Sequence, residues 1–134
     1  MATHAVTSQD FNQVVESNDL VFVDFWATWC GPCRAFGPTF EKEREANPDV
    51  YFAKVDIDQN PDLAAAAKVQ AVPTLMVVKN HQIIFQQAGA LRASDLDDLI
   101  SEAKALDMDA AASDGDTASS GDAKVKTPSS QSER

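Results

Sequence analysis

The sequence has only two cysteines, Cys30 and Cys33, and it has neither long apolar runs nor clustered basic residues. No apolar stretch approaches the roughly 20 residues that span a bilayer. Residues 1–11 have neither the basic region nor the apolar region of a signal peptide. A net charge of −10 argues against a protein that binds nucleic acid or anionic membranes. We therefore expect a cytoplasmic, reducing compartment, where a cysteine pair is more often catalytic or metal-binding than structural.

The composition changes near the end of the chain. The 134 residues are 44% hydrophobic and 24% charged, which is ordinary for one globular domain with a substantial core. Residues 107–134 contain no aromatic residue, one valine and many Ser, Ala and Asp. Such a segment cannot bury enough apolar surface to offset its loss of conformational entropy. The sequence predicts a domain over residues 1–106 and a disordered acidic tail over residues 107–134.

Hydrophobic periodicity predicts alternating strands and helices in the domain. Strands are predicted at residues 3–6, 20–26, 50–55, 74–78 and 83–85, the last two forming a hairpin. A first helix is predicted after a cap at Thr7 or Ser8, with Phe11, Val14 and Val15 on its apolar face. A second is predicted at residues 33–46, with a kink at Pro38, and a third at residues 60–67. A fourth is predicted over residues 96–103, after a cap at Ser94. This order predicts an α/β fold, a mixed central sheet of parallel strands and a C-terminal hairpin, flanked by helices.

The two cysteines stand three positions apart, as C-G-P-C, at the start of a predicted helix. A disulfide that closes so short a loop adds little stability. A structural zinc site needs four ligands, and the sequence adds only His4 and His81. Attachment of a c-type haem would need a histidine where Arg34 stands. A redox-active dithiol is favoured instead, because the helix N-terminus stabilises a thiolate at Cys30 and Cys33 can attack a mixed disulfide within the molecule.

The segment WATWCGPC, residues 26–33, is similar to the active-site signature of the thioredoxin family. Three further segments match the family in the expected order: AKVDIDQNP at residues 53–61, AVPT at residues 71–74 and GAL at residues 89–91. The resemblance covers about residues 1–106. It implies the thioredoxin fold and a thiol-disulfide oxidoreductase that carries electrons to protein disulfides.

The resemblance also implies roles for individual residues around the cysteines. Cys30 resembles the attacking thiol and Cys33 the resolving thiol, with Gly31 and Pro32 between them. Asp24 resembles a buried carboxyl with a raised pKa that assists the proton transfers of Cys33. Lys54 resembles the lysine that tunes this carboxyl.

A substrate groove of small or apolar residues is implied as well. Its members by match with the family are Trp29, Gly31, Pro32, Val72, Pro73 with a cis peptide bond, Gly89 and Ala90. Two positions depart from the family pattern. Arg34 stands where lysine is common, and Asn80-His81 replaces a frequent Asn-Gly. The second departure leaves the turn type open, since a type I′ turn needs positive φ.

Neither a bound cofactor nor a metal is expected, since the sequence has no Gly-rich phosphate loop and no dinucleotide fingerprint. The resemblance implies electrons from NADPH through a separate flavin-dependent thioredoxin reductase, and clients that contain disulfides. We expect a monomer that binds neither nucleic acid nor membrane. Two alternatives remain. One is an oxidase or isomerase of the same fold, against which Gly-Pro argues because isomerases usually have Gly-His between their cysteines. The other is a non-catalytic protein clamp.

Overall fold

The computed structural model describes residues 3–108, and in this range the helices and strands follow the predicted order. The strands are β1 (His4–Ala5), β2 (Leu20–Trp26), β3 (Tyr51–Asp56), β4 (Thr74–Lys79) and β5 (Gln82–Ala88). The helices are α1 (Phe11–Ser17), α2 (Gly31–Ala46), α3 (Pro61–Ala66) and α4 (Ala93–Ala105). None of these helices is long and apolar enough to cross a membrane. The disordered tail stays a prediction, because residues 109–134 lie outside the described range.

The five strands form one mixed sheet in the order β1-β3-β2-β4-β5. Strand β3 runs parallel to β1 and to β2, whereas β4 runs antiparallel to β2 and to β5. The predicted fold class is therefore confirmed, with the hairpin at one edge. Strand β2 lies at the centre, and residues 20–25 are all buried because both faces of the sheet are covered.

Two hydrophobic cores lie on opposite faces of the sheet, because successive side chains of a strand point to opposite sides. The core under α2 and α4 contains Leu20 and Phe22 of β2, together with Phe36, Phe40, Leu96 and Ile100. The other core contains Val21, Val23 and Phe25 of β2. By this alternation Asp24 continues the row of Leu20 and Phe22, so it lies on the face that α2 covers.

The predicted start of α1 is wrong, although its apolar face is confirmed. The helix begins at Phe11 rather than just after Thr7 or Ser8. The Thr7 hydroxyl donates to the Asp10 carboxylate at 3.0 Å, and the Ser8 hydroxyl donates to the Asp62 carboxylate at 2.5 Å. The groups expected to cap the helix are therefore bonded elsewhere. The expected apolar residues pack against the second core: Phe11, Val14 and Val15.

Three other predicted elements differ from the structure by two residues or more at one or both ends, and the remaining predicted bounds differ by at most one residue. Helix α2 begins at Gly31 rather than at residue 33, because Cys30 serves as its N-cap. Helix α4 begins at Ala93, which places the expected cap Ser94 inside the first turn. Strand β5 extends to Ala88, because its pairing with β4 continues beyond the apolar residues that suggested a strand.

The turn between β4 and β5 has the backbone of a type I′ turn without a glycine. Its two residues, Asn80 and His81, have φ of 50° and 71°. A type I′ turn needs positive φ at both positions. Asparagine and histidine occupy that region more often than most residues with a side chain, although a Cβ there still costs free energy that glycine avoids. The hairpin prediction is confirmed, and the open question of its turn type is resolved.

Candidate active site

Cys30 and Cys33 form a disulfide at the N-terminus of α2, with their Cα atoms 5.3 Å apart. Cys30 has an extended backbone, and its sulfur accepts a hydrogen bond from the Cys33 N–H at 3.1 Å. Gly31 and Pro32 occupy the first helical positions, where a missing N–H has no intrahelical partner to lose. After reduction, the same N–H and the helix dipole would stabilise a thiolate on Cys30.

Burial does not distinguish the two cysteines in this disulfide form. Each is 4% exposed. They pack with buried Ala27 and with three partly buried side chains: Trp26, Ile57 and Val72. The assignment of the attack to Cys30 therefore stays a prediction, which its position as the helix cap supports.

Asp24 is fully buried on the face of the sheet that α2 covers. Neither of its carboxylate oxygens has a hydrogen-bond partner within the described residues. Burial raises the pKa of Asp24 from its ordinary value of 3.8 to about 7, and the positive charge of Lys54 opposes this rise. Lys54 stands next to Asp24 in the register of β2 and β3. A carboxyl of this kind can take up or release a proton near neutral pH.

The Lys54 side chain lies over an aromatic ring rather than in an ion pair. Its Nζ is 5.1 Å from the centroid of the Trp26 ring, a distance typical of a cation–π contact. Within residues 3–108 this ammonium group forms no salt bridge. Its charge therefore acts on Asp24 through space, without a direct hydrogen bond.

A cleft of about 530 Å³ opens beside the disulfide. Its lining residues are Trp26, Ala27, Thr28, Cys33, Arg34, Gly37, Pro38, Glu41 and Lys54. The cleft is not lined by the predicted groove residues of the loops next to β4 and β5, which are Val72, Pro73, Gly89 and Ala90. Gly37 and Glu41 were missed by the sequence analysis, which contains no local signal for them.

Two loops that carry predicted groove residues meet at a second place beside the disulfide. The peptide bond between Val72 and Pro73 is cis, and Val72 packs against the cysteine cluster. The Gly89 N–H donates to the Pro73 carbonyl at 2.8 Å, which joins the two loops. Gly89 has φ of +104°, and a Cβ there would meet nothing within 4 Å. Ala90 follows it and is exposed.

The loop before Cys30 is held by two side-chain hydrogen bonds. Trp29 is 64% exposed, yet its indole N–H donates to the Asp58 carboxylate at 2.9 Å. The Arg34 guanidinium donates to the Thr28 carbonyl at 2.8 Å. Asp58 was missed as a site residue, although it lies within a segment that matches the family.

A structural zinc site, considered in the sequence analysis, lacks a set of ligands in the described part of the chain. In residues 3–108 no three His, Cys, Asp or Glu side chains come together as a metal site. His4 stacks on Tyr51 with ring centroids 4.4 Å apart, and His81 lies in the hairpin turn.

Known proteins resemble this chain over most of the described residues. The sequence profile of the thioredoxin family matches residues 2–102. The putative thioredoxin 2 of Streptomyces coelicolor is 48% identical over 108 residues, which are 81% of each chain. Thioredoxin-1 of Schizosaccharomyces pombe is 42% identical over 90 residues, 67% of this chain and 87% of the relative.

Solved structures of thioredoxins resemble it in fold as well. The oxidized mitochondrial thioredoxin 3 of Saccharomyces cerevisiae matches with a TM-score of 0.70 and 37% identity, over 75% of this chain and 94% of that one. The thioredoxin of Fasciola hepatica matches with a TM-score of 0.71 and 36% identity, over 75% of this chain and 98% of that one.

Proposed function

The chain belongs to the thioredoxin family and is a thiol-disulfide oxidoreductase, and from this premise we propose that it is a general reductase of protein disulfides. The observation that carries the proposal is the Cys30–Cys33 pair at the start of α2, with the Cys33 N–H directed at the Cys30 sulfur. The pair is placed so that a thiolate is stabilised and a second thiol lies within reach of it.

The reaction proceeds in two exchanges. The Cys30 thiolate attacks one sulfur of a client disulfide, the client S–S bond breaks, and the other client sulfur leaves as a thiolate that takes up a proton. Cys33 then passes its proton to the Asp24 carboxylate and attacks the Cys30 sulfur, which releases the second client thiolate. Two electrons reach the client, whose disulfide becomes two thiols, while Cys30 and Cys33 become a disulfide.

Asp24 serves as the proton acceptor and donor for Cys33 in this scheme. Because its pKa is raised to about 7, its acid and its base form are both populated near neutral pH. Lys54 keeps the pKa from rising further. The second exchange is intramolecular, so that it needs no diffusing partner.

Clients bind through backbone contacts in the groove beside the disulfide. A reductase of many clients has to recognise features that every extended peptide has, and a backbone edge supplies them. No hydrogen bond within residues 3–108 engages the backbone of Val72, so its N–H and carbonyl are free to pair with a client strand. The remaining groove residues are Trp29, Gly31, Pro32, Pro73, Gly89 and Ala90.

We further propose that a separate thioredoxin reductase restores the dithiol, with electrons from NADPH through the flavin of that enzyme. The chain itself would bind no cofactor and no metal, and it would act as a cytoplasmic monomer. Its net charge of −10 supports a protein that binds neither nucleic acid nor anionic membrane surfaces.

The two alternatives, an oxidase or isomerase and a non-catalytic clamp, can be tested with the same purified protein. Gly31 and Pro32 between the cysteines argue against an oxidase or isomerase, and a measured reduction potential discriminates between these activities. A non-catalytic clamp would show no turnover at all.

The decisive experiment couples insulin reduction to NADPH consumption in the presence of a thioredoxin reductase. The wild-type chain should sustain consumption, and the Cys30→Ser variant should not. Absence of insulin reduction by the folded wild-type protein would favour the clamp. A potential in the range of the isomerases would favour the second alternative.

A further inference from the structure

Thr74 is the first residue of β4, and it is buried although its side chain is polar. Its hydroxyl donates a hydrogen bond to the carbonyl of Ala71 at 2.6 Å, which closes the loop that leads into the strand. No other hydrogen bond within residues 3–108 reaches residues 70–72. Valine is branched at Cβ in the same way and has nearly the same shape, so that packing alone does not require a hydroxyl here.

The carbonyls on both sides of Val72 are engaged, whereas its own backbone groups are free. The Ala71 carbonyl accepts from Thr74, and the Pro73 carbonyl accepts from the Gly89 N–H at 2.8 Å. The loop is thereby tied to β4 at one point and to the loop after β5 at another. Val72 itself packs against the cysteine cluster. The backbone that is open to a client therefore lies between two fixed points beside the disulfide.

The bond to Thr74 also determines the direction of the Val72 N–H. The peptide bond between Ala71 and Val72 is trans. A trans peptide is planar, so that its carbonyl and its N–H point in opposite directions. A hydrogen bond that holds the Ala71 carbonyl against Thr74 therefore holds the Val72 N–H away from Thr74. Without it, the peptide plane could rotate about the single bonds on either side, and the donor would lose its orientation.

We infer that Thr74 is a positioning residue for client binding, whose hydroxyl fixes the peptide between Ala71 and Val72 so that the Val72 N–H can donate to a client carbonyl. The inference deepens the proposed function and rests on it. Thr74 is buried and takes no part in the thiol exchange, so that it acts through the Val72 backbone. A loop that is already ordered loses less conformational entropy when a client binds, which favours association.

The test compares Thr74→Val, which removes the hydroxyl, with Thr74→Ser, which keeps it. Insulin serves as the polypeptide client, whereas 5,5′-dithiobis(2-nitrobenzoate) is a small disulfide without a peptide backbone. The small disulfide releases one coloured thiolate when Cys30 attacks it and a second when Cys33 closes the disulfide. In Thr74→Val, kcat/KM for insulin should fall about fivefold, mainly through KM, and both thiolate releases should keep their rates. Thr74→Ser should reduce insulin as the wild type does, although its missing methyl group lowers the unfolding midpoint.

Two further measurements make the result specific. The nuclear magnetic resonance signal of the Ala71 carbonyl carbon should shift in Thr74→Val and return in Thr74→Ser, because it reports on the hydrogen bond itself. Thr7→Val removes another hydroxyl hydrogen bond, the one to Asp10, which lies outside the predicted groove. This variant should reduce both substrates at the wild-type rates.

Three outcomes would overturn the inference. Unchanged insulin reduction by Thr74→Val would mean that client binding does not depend on the hydroxyl. Equal losses on insulin and on the small disulfide would mean that the substitution disturbs the cysteine pair instead. An equal loss in Thr74→Ser would mean that the shape of the side chain matters rather than its hydroxyl. Failure of the wild-type chain to reduce insulin would contradict the proposed function itself, and it is recognised without any variant.

Discussion

Replacing Asp24 by asparagine removes a charge from the centre of the sheet while it preserves the shape of the side chain. The wild-type carboxyl is fully buried, and its oxygens have no hydrogen-bond partner in the described residues. Folding therefore opposes its ionisation. The variant should be more stable than the wild type at neutral pH, and it should reduce disulfides more slowly because Cys33 loses its proton acceptor.

The magnitude of the stabilisation follows from the pKa. Ionising a group whose pKa is raised from 3.8 to about 7 costs about 1.4 kcal/mol per pH unit, hence about 4 kcal/mol above pH 7. The cost is absent below 3.8, where the carboxyl is protonated in the folded and the unfolded chain. It grows as the pH rises because the unfolded chain ionises first. The buried amide also lacks partners, which offsets about 1 to 3 kcal/mol. We expect a net gain of about 1 to 3 kcal/mol near pH 8.

Urea unfolding of the oxidised wild-type and Asp24→Asn proteins, followed by circular dichroism, measures this difference. The free-energy difference should grow steadily from about pH 5 to about pH 7 and then level off. The second thiolate release should slow by about 100-fold, a typical loss for a general base. A difference in stability that does not vary with pH would mean that the pKa of Asp24 is not raised in the folded protein. Unchanged kinetics together with reduced stability would refute both parts of the reasoning.

Three further predictions use other parts of the structure. Cys33→Ser should attack once through Cys30 and then stall as a mixed disulfide, detectable by mass spectrometry; an equal amount of complex in Cys30→Ser would reverse the assignment. Gly89→Asp should slow insulin reduction about tenfold and the reduction of a small disulfide only slightly, because it adds charge to the groove. Gly89→Ala controls for the backbone strain at φ of +104°. Equal losses on both substrates would mean that the variant damages the exchange chemistry rather than the groove. His81→Gly should raise the free energy of unfolding by about 1 kcal/mol, because a residue with φ of 71° then has no Cβ to strain; thermal unfolding measures it, and no rise would mean that the turn relaxes.

Helices, strands and motifs that depend only on residues close together in the sequence could be predicted. Strand β2 was predicted at its observed bounds, because a strand buried on both faces needs an uninterrupted apolar run. Its one charged residue, Asp24, stands out for the same reason. The cysteine pair was equally visible, since its spacing and its place before a helix determine its chemistry.

Features that depend on distant partners could not be predicted. Ser8 resembles a helix cap in any local window, but its hydroxyl bonds the carboxylate of Asp62, a residue 54 positions away. The contact between Trp29 and Asp58 joins residues 29 positions apart. Gln86 and Gln87 near the end of β5 are polar, and their strand conformation depends on pairing with β4 rather than on their own pattern. The cleft likewise needs α2 and β3 to be packed before Gly37 can face Lys54.

The central place of β2 has a consequence for how the protein withstands damage. The strand that carries Asp24 and leads into Cys30 is hydrogen-bonded to β3 on one side and to β4 on the other. Fraying begins at edge strands, here β1 and β5, whose outer backbone groups have no neighbour in this sheet. Amide hydrogens of β2 should therefore be among the last to exchange with deuterated solvent. The redox centre therefore follows directly on the strand that is paired on both sides, and opening of either edge strand leaves that pairing in place.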